Sequence, residues 1–153
     1  MREIVVDSET NGFQYECDKI WVLGWTEDGN NINHTPDYNK MREVLSGSHT
    51  ERRLVCHNAV RFDLVVFNRL LGLNLTYLDF IDTLPLSWTI NYDRNKHGLE
   101  SYGVDFNVPK PEITDWENLT YEDYAHRVSE DVKINGLLWQ DLKMKLGVLY
   151  GTE

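Results

Sequence analysis

The sequence predicts an α/β fold: a mixed sheet, its first three strands antiparallel and its later strands parallel, flanked by helices. Three observations predict it. Residues 3–7 (EIVVD) and 20–25 (IWVLGW) are β-branched and aromatic runs on either side of an Asn11-Gly12 turn signal, which reads as two adjacent strands. From residue 53 onward, short apolar runs alternate with segments of helical spacing, the order expected of strands and helices packed in layers. A long, capped amphipathic segment begins near Thr120.

Element by element, a third strand at 31–34 follows the Asp28-Gly29 turn. Residues 38–45 read as a helix, 53–56 (RLVC) as a short buried strand, and 62–71 as a helix ended by Gly72. Residues 78–81 form a further short strand, 83–90 a helix with Pro85 in its first turn, and 99–102 a shorter helix. Residues 105–118, with Pro109 and Pro111, read as a loop. Thr120-x-x-Asp123 has the form of a capping box, and the helix it opens, running to about residue 146, turns Val128, Val132, Trp139 and Leu142 to the core. The same patterning assigns most of Trp21, Trp25, Trp88, Trp116 and Trp139 to the core.

With 153 residues the chain has the size of one domain, large enough for a single core. Hydrophobic residues at 41% and charged residues at 26% exclude a disordered or membrane composition. No run of about eighteen apolar residues exists, and the start MREIVVD leads into a strand, so the expectation is a cytoplasmic chain with no membrane partner. Cys17 and Cys56 fit no C-x-x-C pattern, which argues against a disulfide or zinc site.

The net charge of −10 argues against a protein that grips nucleic acid through a broad basic surface. An acid excess is equally what a site of clustered carboxylates needs, because bound divalent cations return positive charge where a phosphate docks. Composition leaves both readings open.

Three segments could carry chemistry. Asp7 and Glu9 stand two apart at a strand end, so the period of two puts both carboxylates on one face, where they could share a cation. By itself such a pair is equally a polar strand end entering a turn. His57 and Asn58 follow the apolar strand RLVC, and Asp63 lies at the helix start beyond it, the region where open α/β sheets place their sites. The plainer alternative makes Asn58 a cap and Asp63 a first-turn acid favoured by the helix dipole. Asp131 sits mid-helix before Val132, Ile134, Leu137 and Leu138, either facing inward with a cation as partner or solvated beside Lys133.

Taken in order, VVDSETNGF, VCHNAVRFDL and HRVSEDV resemble the three exonuclease motifs of the DEDD, or DnaQ-like, superfamily of 3′–5′ exonucleases. Between them, IDTLPLSW and HGLESYGVDF are similar to segments of the proofreading domain of bacteriophage family-A DNA polymerases, so the resemblance spans almost the whole chain. It implies an RNase H-like fold in which Asp7, Glu9 and Asp131 bind metal directly and Asp63 helps hold a second ion. Two divalent cations, Mg²⁺ or Mn²⁺, suit oxygen-only ligands and the hydrolysis of a phosphodiester.

The superfamily divides by its general base, a His five residues before the last Asp or a Tyr four before it; here those positions are His126 and Arg127. Arginine stays protonated, so the resemblance implies the His subtype with His126 as base. Residues five apart on a helix point about 140° from each other, and the helix is therefore expected to break or start later near His126. By position in the motifs, Thr10, Asn11, Gly12 and Phe13 look like the strip that receives the terminal nucleotide, although an aromatic beside a turn, as Phe13 is, is core material about as often as a base platform. His57 and Asn58 are candidates for phosphate or sugar contacts. Asp82 and Thr83 read as helix-start chemistry. Arg52, Arg53 and Arg61 flank the second motif, either meeting backbone phosphates or forming a solvated basic cluster.

The expected substrate is a single-stranded 3′ end, DNA favoured over RNA, with a DNA polymerase in trans as a conceivable partner for proofreading. Two rivals stay open: an exoribonuclease that trims RNA 3′ ends, and a nucleic-acid-binding module on the same fold that hydrolyses nothing.

Overall fold

The computed structural model describes residues 1–108, 113, 115 and 117–151. The expected Pro109, Pro111 and Trp116 features lie outside the described residues. Five strands form one sheet in the order β3-β2-β1-β4-β5: β1 Arg2–Thr10, β2 Ile20–Thr26, β3 Asn33–Thr35, β4 Arg52–Cys56 and β5 Phe80–Asp82. β1, β2 and β3 run antiparallel as neighbours, while β4 and β5 join β1 in parallel. The mixed sheet expected from the sequence is the sheet observed.

Helices cover both faces. On one, α1 (Tyr38–Leu45) and α2 (Leu64–Leu71) bury Met41, Leu45, Val66 and Phe67 against Ile4, Val6, Leu54 and Cys56. On the other, α5 (Tyr121–Tyr150) crosses the sheet, with Val132 packed against Val5 and Val55. Beyond the sheet, Ile134, Leu138 and Leu142 of α5 meet Tyr102 of α4 (Leu99–Asp105) and Leu86 and Ile90 of α3 (Thr83–Ile90). Removing each such side chain from water contributes roughly 1.5–3 kcal/mol, and this holds α5 in place more than helix propensity does.

Local chemistry sets the boundaries. Asp37 caps α1 by accepting from the Asn39 amide at 2.9 Å. Thr120 and Asp123 form the expected reciprocal cap of α5, the Asp123 carboxylate accepting the Thr120 amide at 2.9 Å. The helix then runs unbroken to Tyr150, further than its pattern suggested, and contains no break near His126.

Two boundaries moved for identifiable reasons. A wide turn, Ala59–Asp63, precedes α2, because Asn58 adopts a left-handed conformation (φ 71°) and the Leu64 amide reaches back five residues to the Ala59 carbonyl. β5 starts later than expected because a tight turn, Tyr77–Asp79, is held by reciprocal bonds between Thr76 and Asp79. Arg52, read as a surface cation, is 1% exposed; its guanidinium pairs with Asp79 at 2.7 Å and donates to the Leu45 carbonyl at 2.6 Å. Among the tryptophans, read as mostly core, Trp88 is an exception and lies exposed on α3, its ring stacked on His97.

Candidate metal centre and nucleic-acid site

β1 carries the first two acids. Val5, Asp7 and Glu9 alternate onto the face covered by α5, so the strand's period turns an apolar contact into two carboxylates as β1 leaves the core. α5 reaches that strand end because Gly24, opposite Asp7 in β2, has no side chain: a Cβ there would stand 2.9 Å from Val128 Cγ1 and 3.2 Å from Cγ2. Asp131 is thereby laid over the sheet. One carboxylate oxygen each from Asp7, Glu9 and Asp131 lies within 4.8 Å of the others.

Electrostatics make this arrangement costly without a cation. Desolvation foremost, then the charges of Asp131, Asp63 and Glu9, hold the Asp7 carboxyl well above the ordinary carboxylate range, against a pull downward from the Ser8 amide. Oxygens sharing one Mg²⁺ at about 2.1 Å stand at most about 4.2 Å apart, close to the spacing of this trio. The donor set is oxygen only, which favours hard cations such as Mg²⁺ or Mn²⁺ over zinc.

Asp63 stands outside that trio, at the junction of the wide turn and α2, and is 3% exposed. Burial and the Asp82 charge push its carboxyl well up, and its own backbone amide draws it down. It is close enough for its charge to raise Asp7 as well. Asp82 fixes this region: its carboxylate accepts the amides of Asn58 (2.9 Å), Val60 (3.2 Å) and Leu84 (3.2 Å), joining the second motif to the start of α3. The cap expected of Asp82 is there, and it anchors a second loop besides.

His126 is placed differently from expectation. On the unbroken helix its side chain is 61% exposed, with Nε2 3.8 Å from Glu130 Oε1, and the 140° rotation that five residues impose turns it off the face that carries Asp131. The residue that α5 does bring to the acids is Arg127, whose Nε lies 3.9 Å from Glu9 Oε1.

Solved nucleases share the whole architecture. Brucella melitensis NrnC with bound Mg²⁺ matches with a TM-score of 0.67 over 94% of this chain and 75% of that one, at 18% identity. Exonuclease X in complex with 5′-overhanging duplex DNA matches at 0.61 over 95% of this chain and 93% of that one, at 19% identity. Escherichia coli RNase D, an exoribonuclease involved in structured RNA processing, matches at 0.61 over 94% of this chain and 40% of that one, at 17% identity. The fold is the RNase H-like fold of these nucleases. No protein-family model and no curated protein sequence matches the chain.

Within this RNase H-like frame, the strip after β1 divides into scaffold and surface. The Thr10 hydroxyl donates to the Gly12 carbonyl at 2.8 Å. Asn11 accepts the Asp18 and Lys19 amides at 3.0 and 3.1 Å and so closes the loop on itself. The Phe13 carbonyl accepts the Glu16 and Cys17 amides, while the residue as a whole is 73% exposed beside this turn. Phe13 is therefore not core, and an aromatic face is presented to solvent.

His57 points inward. Its Nε2 donates to the His97 carbonyl at 2.9 Å and its Nδ1 meets the Thr83 hydroxyl at 2.9 Å, so both ring nitrogens are engaged by protein and neither is left for a phosphate. Asn58 serves as the left-handed hinge of the wide turn.

Sequence reasoning missed Asn135, which is buried one helical turn after Asp131 and lies 2.6 Å from the Thr83 hydroxyl. It begins a polar layer beneath the acids. From the far side, Lys145 donates to Asn91, Asn91 to Tyr102, and a hydroxyl chain of Tyr102 and Ser87 reaches His97 Nδ1. The signal was the spacing of four from Asp131, which puts both residues on one helix face.

Proposed function

We propose that the chain is a metal-dependent 3′–5′ exonuclease that removes nucleoside monophosphates from single-stranded 3′ ends. The observation that carries this reading is the carboxylate trio Asp7, Glu9 and Asp131, gathered within 4.8 Å on an RNase H-like sheet. Carboxylates that repel one another this strongly are a standing cost to the fold unless a cation is the intended occupant.

Asp7, Glu9 and Asp131 would hold a divalent cation directly, and Asp63 would anchor a second through water. Paired Mg²⁺ or Mn²⁺ ions supply, when bound, an activated water and neutralisation of the charge that builds on the leaving 3′ oxygen. The protein's part is orientation. β1 fixes two carboxylates by its period, α5 fixes the third by packing on Gly24, and the exposed Phe13 ring offers a face for the terminal base. Thr10, Asn11 and Gly12 shape the turn that presents that ring. His57 acts from below, holding the end of β4 through Thr83 and His97.

DNA is the favoured substrate, on the likeness of IDTLPLSW and HGLESYGVDF to polymerase proofreading segments. The deciding experiment is digestion of 5′-labelled single-stranded DNA and RNA of one sequence with Mg²⁺ or Mn²⁺, beside the Asp7→Ala protein. A ladder that shortens from the 3′ end and is lost in Asp7→Ala is expected, with DNA degraded faster. Absence of cleavage with either substrate and either metal would leave the non-catalytic binding module as the better reading.

A further inference from the structure

We propose that Arg127 binds the phosphate group at which the substrate is cut, giving the acid cluster a fixed organic cation alongside its metal ions; this rests on the exonuclease reading above. The placement comes from helix geometry. Four residues before Asp131 on an unbroken helix, Arg127 shares its face to within about 40°, whereas His126 is turned away. The guanidinium Nε stands 3.9 Å from Glu9 Oε1, inside the site's electrostatic reach.

At that distance the Arg127 side chain forms an ion pair with Glu9, which keeps its positive charge beside the acids. The side chain keeps 26% of its surface exposed, enough for an incoming anion to meet it. A phosphodiester approaching four carboxylates on a chain of net charge −10 meets repulsion from every side except where cations stand. Arg127 is a cation that the protein itself holds there. Its planar fork matches two phosphate oxygens, and because it does not deprotonate it acts by charge and hydrogen bonding and not as a base.

The test compares wild type, Arg127→Lys and Arg127→Met on a single-stranded DNA oligonucleotide, measuring kcat and KM over a range of salt. In parallel, Mg²⁺ is titrated against thermal stability without DNA. Phosphate binding by Arg127 predicts a KM about tenfold or more higher in Arg127→Met, with partial recovery in Arg127→Lys. It also predicts a plot of log(kcat/KM) against log salt shallower by about 0.7, as loss of one phosphate contact on a single strand requires. The Mg²⁺ midpoint should stay within about twofold.

An Arg127→Met protein with an unchanged KM and salt slope overturns the proposal, and a shifted Mg²⁺ midpoint in that case identifies Arg127 as a restraint on Glu9. Failure of the exonuclease reading looks different: wild type itself then cleaves nothing.

Discussion

Gly24 and Val128 are in contact that only a missing side chain permits, since a methyl group on Gly24 would stand 2.9 Å from Val128 Cγ1. Gly24 is also the strand partner of Asp7, and Val128 is three residues before Asp131 on α5. The spacing between two acids of the trio is thus set by a glycine that is itself no ligand. Gly24→Ala should cost about 1–3 kcal/mol through overpacking. It should also weaken Mg²⁺ binding severalfold, because α5 must rise from the sheet. Urea denaturation with and without Mg²⁺ separates the two effects.

Asp7→Asn removes a charge that its surroundings disfavour. In EDTA the variant should be more stable than wild type by about 1 kcal/mol, a rise in Tm of about 2–4 °C for a chain of this size. In millimolar Mg²⁺ the order should reverse, because only wild type gains binding energy from the ion. Differential scanning calorimetry in the two buffers reads this directly, and an Asp7→Asn protein no more stable in EDTA would contradict the account of the site.

His126→Ala should retain activity within about threefold. A general base contributes typically 10²- to 10⁴-fold, and a side chain 61% exposed and paired with Glu130 is not positioned to do so. Asp131→Ala in the same assay should be inactive. A loss of 10²-fold or more in His126→Ala would mean that the first turns of α5 distort when substrate binds.

The buried pair of Arg52 and Asp79 should dominate stability on the far side of the sheet. Asp79→Asn leaves Arg52 buried without its counter-charge and should cost about 3–5 kcal/mol. Burial pushes the Asp79 carboxyl up, but the Thr76 amide and Arg52 outweigh it and hold it below the ordinary range. A depressed folded pKa contributes stability above the unfolded value of about 3.9 and loses it as pH falls through the folded value. The gap between wild type and Asp79→Asn should therefore be full at pH 6 and shrink below about pH 4, as chemical denaturation across that range would record.

Most of the sheet was legible because strands and helices here have consistent local signals: EIVVD, IWVLGW and RLVC are strands, and residues 38–45 and 83–90 are helices, as their patterns say. The acids at 7, 9 and 131 were legible as a set because a period of two and a resemblance in three motifs agree. What pattern could not supply was orientation. Arg52 looks like a surface cation until Asp79, twenty-seven residues on, is known to face it. His126 and Arg127 are adjacent in sequence, and only the unbroken helix decides which of them faces Glu9. Asp82 reads as a cap of its own helix, while its two further bonds to residues 58 and 60 depend on a parallel pairing of β4 with β5 that no local signal encodes.

Those bonds from Asp82 bear on how the protein assembles. Asp63 lies on a turn whose backbone amides are tied to a residue translated nineteen positions later, and the trio itself joins positions 7 and 131. The first half of the chain can pair β1 with β2 as it emerges, but its acids then lack both the brace for Asp63 and the oxygen from α5. The carboxylate trio is consequently assembled only once α5 lies on the sheet. On the exonuclease reading, a chain in which α5 has not yet docked would lack the third carboxylate, so the capacity to cut would arrive in the same step as that helix.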